Sequence, residues 1–202
     1  MDQPTALAMA AARGDPEALT ALIRTTQADV WRMCAYLVDS MSADDLAQET
    51  YLRAIPALRR FRGDAPVRTW LLAIARRVCA AEIKNRERSR QASASLAAAT
   101  AQAEPDAGLK VELTLLLAAL ERDRRVAFAL TQVLGCSYAE AAVICGCPVG
   151  TIRSRVARAR ADLDAMTAAD MPAPPGRETV SPAAAAAAGC TATGCGAGGT
   201  QD

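Results

Sequence analysis

The segment over residues 137–163 constrains the fold of this chain more than any other part of its sequence. Ser137 and Glu140 stand three positions apart, which is the spacing of a capping box at the start of a helix. A Gly-Cys-Pro turn follows at 146–148, and the apolar pattern after it predicts a second helix over 149–163. Two helices joined by so short a turn are typical of a helix-turn-helix.

The second helix of this unit has an apolar side and a side of long donors and small residues. At about 100° per residue, the apolar side consists of Ile152, Val156, Ala159 and Leu163. The opposite side carries Ser154, Ala157, Arg158 and Ala161, with Arg153 at its edge. A helix divided in this way can pack on its own domain and enter a major groove about 12 Å wide.

Several residues of this helix are suited to contacts with DNA. Arg153 and Arg158 are long enough to reach guanine edges or phosphates. Gly150 and Thr151 lie in the first turn, where exposed amide groups and the helix dipole favour a phosphate. An arginine-rich amphipathic helix can also be an ordinary solvated surface helix, but the capped helix and the turn before it favour DNA recognition.

The composition favours helices and disfavours most enzymes. The chain is rich in alanine and arginine and has only 3% aromatic residues, which predicts an all-α fold. Histidine is absent, and this excludes Ser-His and Cys-His catalysis. The formal net charge is +1, yet basic residues concentrate over 59–90 and 153–160 and acidic ones over 39–49 and 104–121. We therefore expect a protein that is not an enzyme and whose charge is segregated.

The apolar pattern indicates the compartment. No apolar run approaches the roughly 20 residues that a membrane span requires, and the N-terminus lacks the order of a signal peptide. We therefore expect a cytoplasmic protein without membrane contact. Thiols stay reduced there, so five cysteines are interpreted as small buried apolar residues: Cys34, Cys79, Cys136, Cys145 and Cys147.

Two clusters contain residue types that can bind metal ions. Cys145 and Cys147 have a spacing that suggests zinc or redox chemistry, but a tetrahedral site needs four ligands and no second close cysteine pair accompanies them in the folded part. Asp44, Asp45 and Glu49 have neither histidine nor further carboxylates nearby. We expect neither a metal nor a cofactor, and the acidic cluster is interpreted as a binding face or a solvated face.

The helical pattern predicts two domains, over 8–88 and 109–165. Residues 89–108 between them lack apolar periodicity, as a flexible linker does, and residues 166–202 form a disordered low-complexity tail. From 183 to 200 every residue is Ala, Cys, Gly or Thr. This fits low-complexity translation of a GC-rich gene or a string of nucleotide letters carried into the sequence, so this stretch contributes nothing to the fold or the function.

Three features of the first domain bear on function. Apolar residues over 15–39 recur at helical spacing. Ser42 precedes a further helix, and Asp45 three positions on predicts a capping box. Glycine and proline residues then indicate a loop over 61–68, and the helix that begins near Thr69 carries a strongly basic face.

Both domains resemble a known family. The −35 reading region of extracytoplasmic-function sigma factors resembles Gly135-Cys-Ser-Tyr-Ala-Glu-Ala-Ala and Cys147-Pro-Val-Gly-Thr-Ile-Arg-Ser-Arg-Val-Ala-Arg-Ala-Arg. The polymerase-clamp-binding helix of that family resembles Ser42-Ala-Asp-Asp-Leu-Ala-Gln-Glu-Thr-Tyr-Leu-Arg-Ala, and its −10 helix resembles Thr69-Trp-Leu-Leu-Ala-Ile-Ala-Arg-Arg. These blocks have the family's order and separation, so the resemblance extends from about residue 8 to 165.

The resemblance implies a sigma domain 2 over 8–88 and a helix-turn-helix sigma domain 4 over 109–165. Its partners would be promoter DNA and core RNA polymerase, bound at the clamp coiled coil and the flap, with an anti-sigma factor as a further candidate. The implied clamp-binding residues are Asp45, Gln48, Glu49 and Arg53. The implied −10 residues are Phe61, Arg62, Gly63, Asp64, Arg68, Arg76, Arg77 and Lys84. The −35 element would contact Gly150, Thr151, Arg153, Ser154, Ala157 and Arg158.

Three positions differ from the family pattern. Arg77 and Ala81 stand where the −10 helix often has Asn and then Asp, and Ala157 stands where some relatives have a larger residue. The preferred promoter sequence therefore stays open. The alternative function is a helix-turn-helix regulator that binds operators without polymerase, and it predicts tight duplex binding by the free protein. An enzyme is the more distant alternative.

Overall fold

The computed structural model describes residues 2–94 and 111–169, and every regular element in these ranges is helical, which confirms the predicted all-α fold. The first range contains α1 (Gln3–Ala12), α2 (Pro16–Leu37), α3 (Ala43–Ala57) and α4 (Val67–Ala94), with a 3-10 turn at Leu58–Arg60. The second contains α5 (Val111–Ala119), α6 (Arg122–Phe128), α7 (Tyr138–Cys145) and α8 (Val149–Ala169). A π-helical turn, Ala129–Val133, extends α6.

Aspartates define where the first two helices begin. Asp2 accepts a hydrogen bond from the Thr5 amide at 3.0 Å, and Asp15 accepts two from Glu17 and Ala18 at 2.9 and 3.0 Å. Each carboxylate satisfies amide groups that have no partner inside the helix. The proline in the first turn of each helix costs nothing there, because its missing amide hydrogen would have been unpaired.

The predicted capping box at Ser42 is wrong. Ser42 stands at the N-cap of α3, but its hydroxyl makes no capping hydrogen bond. It accepts instead from the guanidinium of Arg86 on α4, while the Ser42 amide donates to Asp39 at 2.8 Å. Burial disfavours the Asp39 carboxylate, but its hydrogen bonds with Arg86 and Ser42 outweigh this and lower its pKa. Ser42 and Asp39 therefore tie α3 to α4.

Helix α4 is the central element of the first half, because α1, α2 and α3 all pack against it. It begins at Val67 rather than near Thr69, and it buries Leu71, Leu72 and Val78. The helix continues to Ala94, past the expected domain boundary at residue 88. The predicted linker thus begins inside a helix, and its later residues lie outside the described ranges, as does most of the predicted tail.

The second half packs α6 and α7 against α8, and its apolar residues join those of the first half. Ile152 and Val156 of α8 belong to the same buried cluster as Leu22 and Leu71 of α2 and α4. Helix α7 packs directly on α4. In the described residues, the two predicted domains are therefore in contact over an apolar interface.

Candidate functional site

The helix-turn-helix forms as its sequence predicts. The Ser137 hydroxyl accepts from the Glu140 amide at 3.2 Å, and the Glu140 carboxylate accepts from the Ser137 amide at 2.8 Å. These bonds with Ser137 lower the pKa of Glu140. Gly146 ends α7 with φ 66°, a left-handed conformation that favours glycine, and α8 begins at Val149. The capping box and the two helices are confirmed.

Helix α8 presents the residues that the sequence assigned to its outer side. Ile152, Val156 and Ala159 are buried, which matches the predicted seam. Thr151 is half-buried, and its carbonyl accepts from the Ser154 hydroxyl at 2.9 Å. The exposed residues of the predicted −35 set are Gly150, Arg153, Ser154, Ala157 and Arg158. This face is therefore accessible to a DNA groove.

Charged contacts on the flanks of α8 fix its position relative to α6. Arg155 pairs with Asp123, and Arg124 pairs with Asp162 at 2.7 Å. Arg160 donates to the Gln132 side chain at 2.7 Å, from the π-helical turn. Arg155 and Arg160 lie beside the apolar seam, and sequence periodicity could not supply their partners, which are about 30 residues away in the chain. These arginines orient the helix.

The predicted loop over 61–68 is shorter in the structure, because α4 begins at Val67. Phe61 and Trp70 pack with ring centroids 5.2 Å apart and planes at 48°. Gly63 has φ 78°, so the turn there uses a backbone conformation that favours glycine. Arg62 and Asp64 are exposed at its tip. The loop thus has an aromatic anchor and a polar surface.

Helix α1 supports this loop, a role that the sequence did not reveal. The buried Thr5 hydroxyl accepts a hydrogen bond from the Val67 amide at 3.0 Å, which satisfies the first turn of α4. A Cβ atom on Gly63 would lie 3.8 Å from the Met9 sulfur and 4.0 Å from the Thr5 methyl group. The sequence offered one signal for this role, a polar threonine on an alanine-rich helix. It could not identify the partner of Thr5, which lies 62 positions away.

Arg68 belongs to the predicted −10 set, but it is half-buried and its guanidinium is bound by other residues of the chain. Its Nε donates to Asp29 at 2.5 Å, and one terminal nitrogen donates to the Leu134 carbonyl at 2.5 Å. The other terminal nitrogen lies 3.4 Å from the Cys136 sulfur. Burial disfavours the charge of Arg68, but the hydrogen bond with Asp29 outweighs this and raises its pKa. Arg68 therefore joins α2 and α4 to the segment between α6 and α7.

A second arginine of the predicted −10 set is also held by the other half. The Arg76 Nε donates to the Ile144 carbonyl at 3.0 Å, near the C-terminal end of α7. By contrast, Arg77 and Lys84 are exposed on α4. The structure thus separates four basic residues of the predicted −10 set into a half-buried pair, Arg68 and Arg76, and an exposed pair, Arg77 and Lys84.

The predicted polymerase-binding residues lie together on α3. Asp45 and Gln48 are exposed, while the half-buried Glu49 pairs with Arg53 at 2.7 Å. Leu52 on the same helix is 59% exposed, which is unusual for a large apolar side chain beside charged ones. The acidic cluster is therefore part of a mixed polar and apolar face, as a protein-binding surface is.

A groove adjoins this face. It has a volume of about 660 Å³ and lies between α2 and α3, with Trp31 and Tyr51 among its lining residues. The Tyr51 hydroxyl shares a 2.8 Å hydrogen bond with Thr26, and burial raises the pKa of Tyr51. Both aromatic residues pack on the core while lining this groove, so they contribute to the fold and to the surface at once.

The five cysteines within residues 2–94 and 111–169 form no disulfide bonds. Cys34, Cys79 and Cys136 are buried, and Cys145 and Cys147 are half-buried. Burial raises the pKa of Cys145 to about 11, so this thiol is protonated at neutral pH. Within residues 2–94 and 111–169 no three cysteine, aspartate or glutamate side chains are grouped to hold a metal ion. No helix in the same ranges is long and apolar enough to span a membrane.

Two family models match this architecture. The model of Sigma-70 region 2 matches residues 22–89, and the model of Sigma-70, region 4 matches residues 110–163. The first match spans most of α2 to α4, and the second spans α5 to the greater part of α8. A region 2 bundle followed by a region 4 helix-turn-helix defines the sigma-70 class of transcription initiation factors.

Relatives and solved structures narrow the class. SigC, an ECF RNA polymerase sigma factor of Mycobacterium tuberculosis, is 53% identical over 161 residues, which cover 77% of this chain and 86% of SigC. The ECF sigma-E factor of Escherichia coli K12 is 33% identical over 169 residues, which cover 75% of this chain and 87% of that factor. Among solved structures, CnrH in complex with the cytosolic domain of CnrY matches with a TM-score of 0.67 at 27% identity. The match covers 84% of this chain and 100% of CnrH. RpoE of Bartonella quintana, in complex with the anti-sigma factor NepR, matches with a TM-score of 0.65 at 27% identity. The match covers 76% of this chain and 98% of that RpoE.

The chain therefore belongs to the extracytoplasmic-function sigma factors, as its sequence resemblance predicted. It is an RNA polymerase sigma factor that acts with promoter DNA in transcription initiation. The operator-binding regulator that acts without polymerase is not favoured.

Proposed function

We propose that the exposed face of α8 reads the −35 element of the promoter. The observation that carries this proposal is the division of α8, which has buried apolar residues on one side and exposed Arg153 and Arg158 on the other. The ion pairs of Arg124 and Arg155 hold α8 on α6, so the exposed arginines project from a fixed helix. Gly150 and Thr151 in the first turn are suited to a phosphate.

The loop after α3 is proposed to receive unpaired bases of the −10 element. Phe61, Arg62, Gly63 and Asp64 surround a turn whose backbone is supported from behind by α1. Flipping a base out of the stack costs a few kcal/mol, which a preformed pocket can offset. Arg77 and Lys84 are exposed and suited to the phosphates of the same strand.

Arg68 and Arg76 can join that strand only after the two halves separate. Both guanidinium groups now donate to carbonyl oxygens of the second half, at Leu134 and Ile144. Core polymerase is proposed to break these contacts as it spaces the two halves along the promoter. The free protein would then bind DNA weakly and gain specific binding only with core enzyme.

Helix α3 is proposed to bind the clamp coiled coil of core polymerase. Asp45, Gln48, Glu49 and Arg53 supply its polar contacts, and the exposed Leu52 supplies apolar area beside them. The flap is the proposed partner of the second half. The protein would act in the cytoplasm and perform no chemistry of its own.

An anti-sigma factor is proposed as a further partner. CnrH and the Bartonella quintana RpoE were each solved with a bound protein, CnrY in one case and the anti-sigma factor NepR in the other. Both share the fold of this chain over most of its described length. Such a partner would regulate this chain by keeping its two halves from engaging polymerase.

Run-off transcription with core polymerase, followed by sequencing of the transcript start sites, tests the function as a whole. We expect transcripts from a defined set of promoters only when both core enzyme and this chain are present. Tight sequence-specific duplex binding without polymerase, together with no effect on transcription by core enzyme, would instead favour the operator-binding regulator.

A further inference from the structure

A cleft lies between the two halves of the chain, and of the residues predicted to bind DNA or polymerase only Arg76 lines it. It has a volume of about 410 Å³, within the roughly 300–1,000 Å³ of small-molecule sites. One wall belongs to α4, the other belongs to the end of α5 and to α6, and the end of α2 closes it. Five arginines line it: Arg76, Arg86, Arg90, Arg122 and Arg125. We name it the arginine cleft.

The positive charge of the arginine cleft is poorly balanced within the described ranges. Its two acidic residues are Glu87 and Asp123, and Asp123 already pairs with Arg155 outside the cleft. Only Arg86 among the five arginines has carboxylate partners there, in Asp39 and Glu82. The other four form no ion pair within the described residues, although the charge of Glu121 acts favourably on Arg125. The lining residues thus carry more positive than negative charge, which attracts anions.

Backbone carbonyl groups hold two of these guanidinium groups in place. Arg122 donates to the Ala80 carbonyl at 3.0 Å. Arg125 donates to the carbonyls of Leu37, Ala118 and Leu120, at 3.4, 2.6 and 3.1 Å. A guanidinium that is fixed by carbonyl groups is oriented in advance but keeps its charge, and this favours binding of an anion.

Arg125 has a donor that no described group satisfies. Its Nε is buried and has no hydrogen-bond partner. Burial and the nearby charge of Arg122 lower the pKa of Arg125. A buried unsatisfied donor on a charged group is costly, and repulsion between two arginines adds to the cost. An anion between Arg122 and Arg125 would reduce the repulsion between them.

Part of the lining of the cleft is apolar, and we call this part the apolar base. Leu37, Val38, Ile83 and Val126 line it beside the arginines. A purely inorganic anion would leave this surface exposed to water, whereas a phosphorylated molecule with a flat or apolar body would cover it. We propose that the arginine cleft binds a small phosphorylated ligand of nucleotide size, with its phosphates on Arg122 and Arg125 and its body on the apolar base.

Such a ligand would favour the packed arrangement of the two halves. The walls of the cleft come from both halves, so the ligand binds only while they are in contact. A ligand that binds one arrangement alone stabilises it by mass action. Binding would therefore keep Arg68 and Arg76 covered by the second half. This inference goes beyond the proposed function, and its test needs neither DNA nor polymerase.

Calorimetric titration of the full chain with ATP, tripolyphosphate and adenosine, at low ionic strength, tests the proposal. We expect ATP to bind at one site, tripolyphosphate to bind more weakly, and adenosine not to bind measurably. Loss of one charge-assisted contact in Arg122→Gln should weaken ATP binding about tenfold. The matched control is Arg24→Gln, which removes the same charge from an exposed position on α2, away from the predicted DNA-binding residues.

A second variant tests the location without changing the charge. Ile83 is half-buried and lines the base, so Ile83→Trp should fill the cleft and abolish ATP binding while leaving every arginine in place. A thermal melt of each variant establishes that it folds. The proposal is overturned if ATP does not bind, if Arg122→Gln and Arg24→Gln weaken binding equally, or if folded Ile83→Trp binds ATP as the unchanged protein does.

Discussion

Arg68 on α4 donates a 2.5 Å hydrogen bond to the carbonyl oxygen of Leu134, 66 positions further along the chain. The same guanidinium pairs with Asp29 on α2, so one side chain connects the two helices of region 2 with the segment that leads into the helix-turn-helix. The residue proposed to hold promoter DNA is thus occupied by the other half of the protein. This relationship makes access to the Arg68 guanidinium depend on separation of the halves.

Arg68→Ala should loosen the packed arrangement. Removal of the guanidinium leaves the Leu134 carbonyl without this partner and breaks the ion pair to Asp29. We expect a larger radius of gyration in small-angle X-ray scattering and tighter binding of a −35 duplex by the free protein. The control is Arg77→Ala, which removes an exposed charge from the same helix. Identical scattering from Arg68→Ala and the unchanged protein would contradict the proposed role.

Arg158→Ala should lower promoter-specific transcription and change the preferred −35 sequence. One bidentate contact to a base pair is worth about 1–3 kcal/mol of discrimination, so we expect the largest loss at one or two positions of the element. Run-off assays on a set of −35 variants measure this. Arg13→Ala, an exposed arginine at the end of α1, is the charge-matched control. A uniform loss over all −35 variants would indicate a phosphate contact instead.

Asp45→Ala should weaken binding to core polymerase and leave the −35 preference unchanged. Asp45 is exposed on α3, far along the chain from α8, so its loss removes a contact without disturbing the helix-turn-helix. Titration of labelled protein with core enzyme measures the affinity. Asp164→Ala on α8 removes the same charge elsewhere and serves as the control. An altered −35 preference in Asp45→Ala would argue against separate roles for the two surfaces.

Glu140→Gln should make the stability of the helix-turn-helix less dependent on pH. Hydrogen bonds with Ser137 lower the pKa of Glu140 in the folded protein, so their contribution is present above the ordinary glutamate pKa of about 4.3. It is lost as the pH falls through the lower pKa of the folded state. Urea unfolding should give the variant a free energy of unfolding that is lower than that of the unchanged protein by about 1 kcal/mol or less at pH 7. The deficit should be smaller at pH 3. An equal deficit at both pH values would be inconsistent with this explanation.

Thr5→Val should destabilise the protein and impair opening at the −10 element. The substitution keeps the shape but removes the acceptor for the buried Val67 amide, which costs about 1–3 kcal/mol. We expect reduced reactivity of −10 thymines to permanganate in complexes with core enzyme, at a temperature where the variant is folded. Thr20→Val on the exposed side of α2 is the matched control. Normal permanganate reactivity in folded Thr5→Val would show that α1 contributes stability alone.

The sequence by itself determined the local structure and the family. The capping box of Ser137 and Glu140, the left-handed Gly146 and the apolar seam of α8 depend on residues within a few positions of one another, so periodicity and capping rules predict them. The two motif blocks identified the family for the same reason. Where local rules failed, at Ser42, a distant partner intervened: Arg86 binds the hydroxyl that was expected to cap α3.

Only the tertiary structure decided which predicted site residues are accessible. Arg68, Arg76 and Arg77 all belong to the predicted −10 set, yet the first two are bound to carbonyl groups of the second half and the third is exposed. The support of the −10 loop by Thr5 and the convergence of arginines in the cleft also join distant segments. No periodicity encodes such contacts, because they depend on how helices pack after they have formed.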